Sequence, residues 1–101
     1  MNKICISGRV ATQPRYSNSG SPRCEFLLAN DIFRGSETST GFYKMKGWGK
    51  LAEQLNRYIT VGAEIFVTGR LEQWRYEDES GQTVYCNSIV IERFDFGRKA
   101  G

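Results

Sequence analysis

The chain contains no histidine, which removes the commonest general acid–base side chain and a principal zinc ligand together. Its cysteines, Cys5, Cys24 and Cys86, are odd in number, lie far apart and form no CxxC pair. Nearly every zinc-site template is thereby removed, and buried, reduced thiols are expected. No apolar run approaches the roughly 18 residues that a membrane-spanning helix requires. Asn2 and Lys3 lead straight into Ile4-Cys5-Ile6, with no export segment or small-residue cleavage site, so a cytoplasmic protein without a membrane partner is expected. A phosphate-binding loop, a dinucleotide fingerprint and a nucleophile elbow are all missing too. The expectation is a non-enzyme with no metal and no cofactor.

What is present fits one small domain. At 101 residues the chain has material for a single modest core. A net charge of +3 is weak evidence of a polyanionic partner, but its distribution says more. Glu77, Asp78 and Glu79 are consecutive in one expected turn, which leaves the rest of the chain more basic than its total.

Apolar alternation predicts a first strand over 3–10, with Gly8 where a small barrel coils sharply or bulges. Residues 13–22, with Pro14, Gly20 and Pro22, are turn-rich and cannot be helical. A second strand is predicted over 23–30, and the polar Ser/Thr tract over 34–41 suggests a mobile connection. The third strand spans 42–48. Leu51, Leu55, Tyr58 and Ile59 form one apolar stripe of a helix between 50 and 59, which the Val61-Gly62 step follows. A fourth strand over 64–76, a hairpin loop over 77–82 and a fifth strand over 83–94 complete the pattern. The fold class predicted is all-β: a five-stranded oligonucleotide-binding (OB) barrel with one short helix between strands three and four. The domain is expected over 1–96, with a frayed tail over 97–101.

Period-two reading of the third strand puts Phe42, Lys44, Lys46 and Trp48 on one face and Tyr43, Met45 and Gly47 on the core side. Two aromatics and two lysines facing outward suit a single-stranded nucleic acid, whose bases stack on rings while ammonium groups track phosphates. Taken alone, the strand allows another reading: Phe42 and Trp48 sit at strand ends and tuck under neighbouring loops, and the lysines only face water. The same mixture recurs on the fourth strand, where Arg70, Trp74 and Tyr76 share a parity and Arg75 is adjacent. Exposed Trp and Tyr near a hairpin tip are unusual unless they bind something. Phe33 and Arg34, at the end of the second strand, offer a third instance, with a barrel-closing plug as the alternative.

These segments together resemble the bacterial single-stranded DNA-binding protein family over nearly the whole chain. The resemblance rests on Asn2-Lys3 with Gly8-Arg9-Val10, on Pro14-Arg15-Tyr16, on Gly47-Trp48-Gly49-Lys50-Leu51-Ala52-Glu53, on Val67-Thr68-Gly69-Arg70-Leu71 and on Ser80-Gly81-Gln82. It implies an OB fold and sequence-tolerant binding of single strands in DNA replication, recombination and repair. It also implies a nucleoid-associated location and a homotetramer wrapped by DNA. Local match puts the family's base-stacking positions on Phe33, Phe42, Trp48 and Tyr76, while Trp74 has no counterpart and rests on strand parity alone. The sequence departs from the pattern in its short first loop, which bears on Arg15 and Tyr16, and in having Phe33 and Phe42 where tryptophans are usual. The family's long linker and acidic tip are not among the 101 residues, so nothing here accounts for recruitment of replication enzymes. A second resemblance runs through Ser19-Gly20-Ser21-Pro22-Arg23-Cys24-Glu25-Phe26 to primosomal replication protein PriB. That would imply a homodimeric adaptor with primosome partners. DNA and RNA both remain open as the bound strand.

Overall fold

The computed structural model describes residues 1–97. In order come β1 (Ile4–Val10), β2 (Arg15–Ser17), β3 (Arg23–Arg34), β4 (Glu37–Trp48), α1 (Gly49–Tyr58), β5 (Glu64–Glu77) and β6 (Thr83–Phe96). Strand β1 pairs antiparallel with β5 from Ile4↔Gly69 to Arg9↔Glu64, then crosses to β3 at Arg9↔Ala29 and Val10↔Leu28. The hairpins β3–β4 and β5–β6 are joined by a parallel contact of β4 with β6 at Met45↔Ile89 and Lys46↔Val90. The sheet therefore runs β1-β5-β6-β4-β3 and closes back on β1, the expected OB barrel, with β2 an extra short strand on β3. Two glycines make the closure possible. A Cβ at Gly8 would stand 2.2 Å from the Ala29 carbonyl oxygen, and one at Gly69 would stand 2.2 Å from that of Val90.

Alternation fills the interior. Cys24, Phe26 and Leu28 of β3, Met45 of β4, Ile65 and Val67 of β5, and Ile89 and Ile91 of β6 form one buried cluster with Val10. Helix α1 closes one end of it through Ala52 and Leu55, followed by Ile59. Gly49, at φ +65°, makes the strand-to-helix turn, and its N–H donates to the Pro22 carbonyl at 2.9 Å. Two residues depart from expectation. Tyr58 is exposed rather than part of the buried stripe, and Ala52 takes the buried place. Tyr43 is exposed too: it lies beyond Met45, where the β4–β6 pairing ends, with its ring against Gly41.

The β3–β4 arm is the main correction to the sequence reading. Residues 34–41 are not a mobile connection. The β3–β4 ladder continues without interruption to Arg34↔Glu37 and reverses over Gly35-Ser36, with positive φ at Gly35, as a two-residue type II′ turn requires. Its Ser/Thr composition reflects two solvated faces, and solvation of side chains does not prevent backbone pairing. The β5–β6 hairpin likewise projects beyond the barrel. At its tip Asp78 Oδ1 accepts hydrogen bonds from Ser80 N, Ser80 Oγ and Gln82 N at 3.0, 2.7 and 2.9 Å. Those bonds, the Ser80 hydroxyl first, hold the Asp78 carboxyl below its ordinary value. Their contribution is present at neutral pH and is lost as pH falls through that lowered value.

Strand β6 runs two residues further than its apolar pattern suggested, and Gly97 N donates to Glu64 O at 2.8 Å. The rest of the expected frayed tail, 98–101, lies outside the described residues. Of the cysteines only Cys24 is buried, where desolvation raises its thiol pKa; Cys86 is half-buried and Cys5 exposed, against expectation.

Candidate nucleic-acid interface

Once Met45 and Gly47 are buried, the pleat sends Phe42, Lys44, Lys46 and Trp48 to the outer face of β4. Cross-strand register adds Arg23 and Glu25 of β3, opposite Trp48 and Lys46. On the other side β6 separates β4 from β5, and Val90 pairs with both Lys46 and Arg70. Ser88 and Val90 lie on this outer face yet are only 2% and 3% exposed, so the overlying side chains shield them. Trp74 and Tyr76 continue the face along β5.

Two aromatic–cation stations result. At the first, Trp74 Nε1 donates to Ser88 Oγ at 3.3 Å, and the Tyr76 ring lies beside it with centroids 5.9 Å apart at 31°. The ammonium groups of Lys44 and Lys46 stand 5.7 and 5.4 Å from the indole centroid. At the second, the Arg23 guanidinium stands 5.8 Å from the Trp48 ring. Glu25 sits between the stations, 3.9 Å from Arg23 Nε and 3.7 Å from Lys44 Nζ. The rings are open to different degrees: Phe33 is 74% exposed, Phe42 60%, Trp48 46% and Trp74 40%.

The remaining predicted residues are placed less uniformly. Arg70 faces outward but contacts Glu72 at 3.1 Å and Glu92 at 3.6 Å. Glu92 also accepts from Lys3 at 2.7 Å, and that bond is the main cause of its lowered pKa. Phe33 shares the outer face of the β3–β4 arm with Phe42 by parity, whereas Arg34 has the opposite parity to Phe33. Arg75 is on the reverse of its arm from Trp74, paired with Tyr85. Sequence reasoning missed Arg23 and Ser88. No local pattern marks either, because each acquires its partner across a strand pairing. A groove of about 290 Å3 adjoins the face, and Arg15, Glu25 and Lys44 are among its lining residues, which brings the first loop beside the lysines.

Among the described residues no group of three or more His, Cys, Asp or Glu is placed to hold a metal ion. No helix among them is long and apolar enough to cross a membrane.

The family model described as Single-strand binding protein family matches residues 1–97. The chain is 34% identical over 102 residues to Single-stranded DNA-binding protein 1 of Clostridium acetobutylicum, covering 95% of this chain and 93% of that protein. It is 33% identical over 100 residues to the Single-stranded DNA-binding protein of Clostridium perfringens, covering 95% of this chain but 65% of the longer relative. A solved Plasmodium falciparum SSB complex with ssDNA superposes with a TM-score of 0.83, over 95% of this chain and 92% of that one. At 21% identity that likeness establishes the OB fold.

Proposed function

The chain belongs to the single-strand binding protein family, and from that premise we propose that its outer face holds single-stranded DNA with little regard to base sequence. The observation that carries the proposal is the pair of aromatic–cation stations, Trp48 with Arg23 and Trp74 with Lys44 and Lys46, on one continuous surface of the barrel. Every base has a π-face, so stacking gives affinity without reading sequence, and the basic side chains follow the phosphates. Phe33, Phe42, Trp48 and Tyr76 are the candidate stacking rings. Lys44, Lys46, Arg23 and Arg70 are the candidate phosphate ligands, while Arg34 and Arg75 reach the strand only if it wraps over the edges of the arms.

No bond is made or broken in this role. It fits a non-catalytic cytoplasmic protein that protects single strands during replication, recombination and repair. Residues 1–96 would be the binding domain, assembling as a homotetramer. The primosomal adaptor is not favoured, since the relatives matched above are single-stranded DNA-binding proteins.

Anisotropy of a labelled oligo-dT tests the proposal. Binding is expected to be tighter than for duplex of equal length and to weaken with salt. At about 0.7 per phosphate neutralised, four basic side chains predict a slope of log K against log[salt] of roughly −3. Equal affinity for duplex, or a slope near zero, would reject it.

A further inference from the structure

We propose that Trp74 is the floor of a phosphodiester subsite rather than a stacking platform for a base. The inference rests on the reading of this face as a single-strand path, and it divides that path by chemistry.

The surroundings of the indole are already committed. Its N–H is spent on Ser88, Tyr76 packs beside the ring, and the ammonium groups of Lys44 and Lys46 both lie within cation–π distance of the same centroid. Two cations gathered on one ring repel each other, and an anion between them relieves that repulsion. A phosphodiester oxygen adds to such an arrangement; a stacking base has to displace both ammonium groups and offers them far weaker acceptors. Lys44 already attracts a carboxylate, Glu25 at 3.7 Å. Among the described residues no carboxylate lies within ion-pair distance of Lys46, so the second half of the pair has no resident counter-ion. The row Lys46↔Val90↔Arg70 places a third cation beside the pair, one already held by Glu72 and Glu92, with Val90 buried as its apolar base.

Trp48, Phe42 and Phe33 are placed differently. Each is more exposed than Trp74, and only Trp48 carries a cation, a single guanidinium on its ring. The open rings therefore take the bases, and Trp74 orders the lysines that take the backbone between them.

The chain has two tryptophans, so Trp48→Phe leaves Trp74 as the sole indole and Trp74→Phe leaves Trp48. Indole emission is followed while each variant is titrated at low salt with oligo-dT and with an abasic sugar–phosphate chain of the same length. Trp74 emission should change by a similar amount with both ligands, whereas Trp48 emission should change more with oligo-dT than with the abasic chain. A Trp74 response confined to oligo-dT, or none with either ligand at saturation, overturns the subsite. As a second measurement, Trp74→Leu should make the salt slope shallower by about one, with Trp74→Phe restoring it; an unchanged slope in a folded Trp74→Leu protein also overturns it. Failure of the unaltered protein to bind oligo-dT by anisotropy would instead reject the single-strand reading itself, so the two failures are distinguishable.

Discussion

Gly69→Ala is expected to destabilise the barrel by on the order of 3 kcal/mol, which is large for one added methyl group. The glycine is needed for space. A Cβ there would lie 2.2 Å from the Val90 carbonyl oxygen and 3.0 Å from its carbon, at the point where the β5–β6 register shifts between Thr68 and Gly69. Both obstructing atoms are backbone, so no rotamer change relieves the contact. Alanine would normally be favoured over glycine by a few tenths to about 1 kcal/mol through the unfolded chain, which is too little to offset it. Urea denaturation monitored by circular dichroism measures the effect, with an unchanged m-value as the check that two-state unfolding persists. Stability equal to that of the unaltered protein would mean that β6 does not approach β5 as described. The consequence extends to function, because the same pairing aligns Val90 with Arg70 and, through β4, with Lys46.

Trp48→Ala should weaken oligo-dT binding by about 1–3 kcal/mol, or roughly 5- to 150-fold, while the unfolding midpoint moves little. Two features separate this residue from the core. Its ring is partly open to solvent with Arg23 over it, and although it stands at the N-cap position of α1 its side chain makes no capping hydrogen bond. The loss therefore falls on stacking and on the placement of Arg23, and Trp48→Phe should recover most of the binding. A large fall in stability with affinity intact would restore the reading in which Trp48 tucks under a neighbouring loop.

The outer face of β4 was legible in the sequence because Met45 and Gly47 stand between Lys44, Lys46 and Trp48 and fix the parity. Parity does not show where the β4–β6 pairing ends, so it puts Tyr43 on the core side although its ring is exposed. Composition misled at residues 34–41, since Ser and Thr report solvation and the ladder to Arg34↔Glu37 is held by backbone bonds. The helix lies where its apolar spacing places it, yet Ala52 is buried and Tyr58 exposed, because the side of the helix that meets the core carries Ala52 and Leu55. Arg23 and Ser88 lay beyond reach for a different reason. Arg23 meets Trp48 through the β3–β4 register, and Ser88 meets Trp74 through the β5–β6 register, and neither register is written in a local motif. The same limit applies to Trp74, which parity alone marks in the sequence, since the lysines over its ring come from β4.

The most direct test of this binding face is photochemical cross-linking of the 101-residue chain to oligo-dT, followed by peptide mapping. Tyr58, Phe66, Tyr85 and Phe96 are exposed aromatic rings that lie off the proposed path and serve as internal controls. Cross-links are expected in peptides carrying Phe42, Trp48 and Tyr76, and none at the four controls. Cross-links concentrated at Tyr58, Phe66, Tyr85 or Phe96, with the β4 face unmodified, would contradict the proposed path.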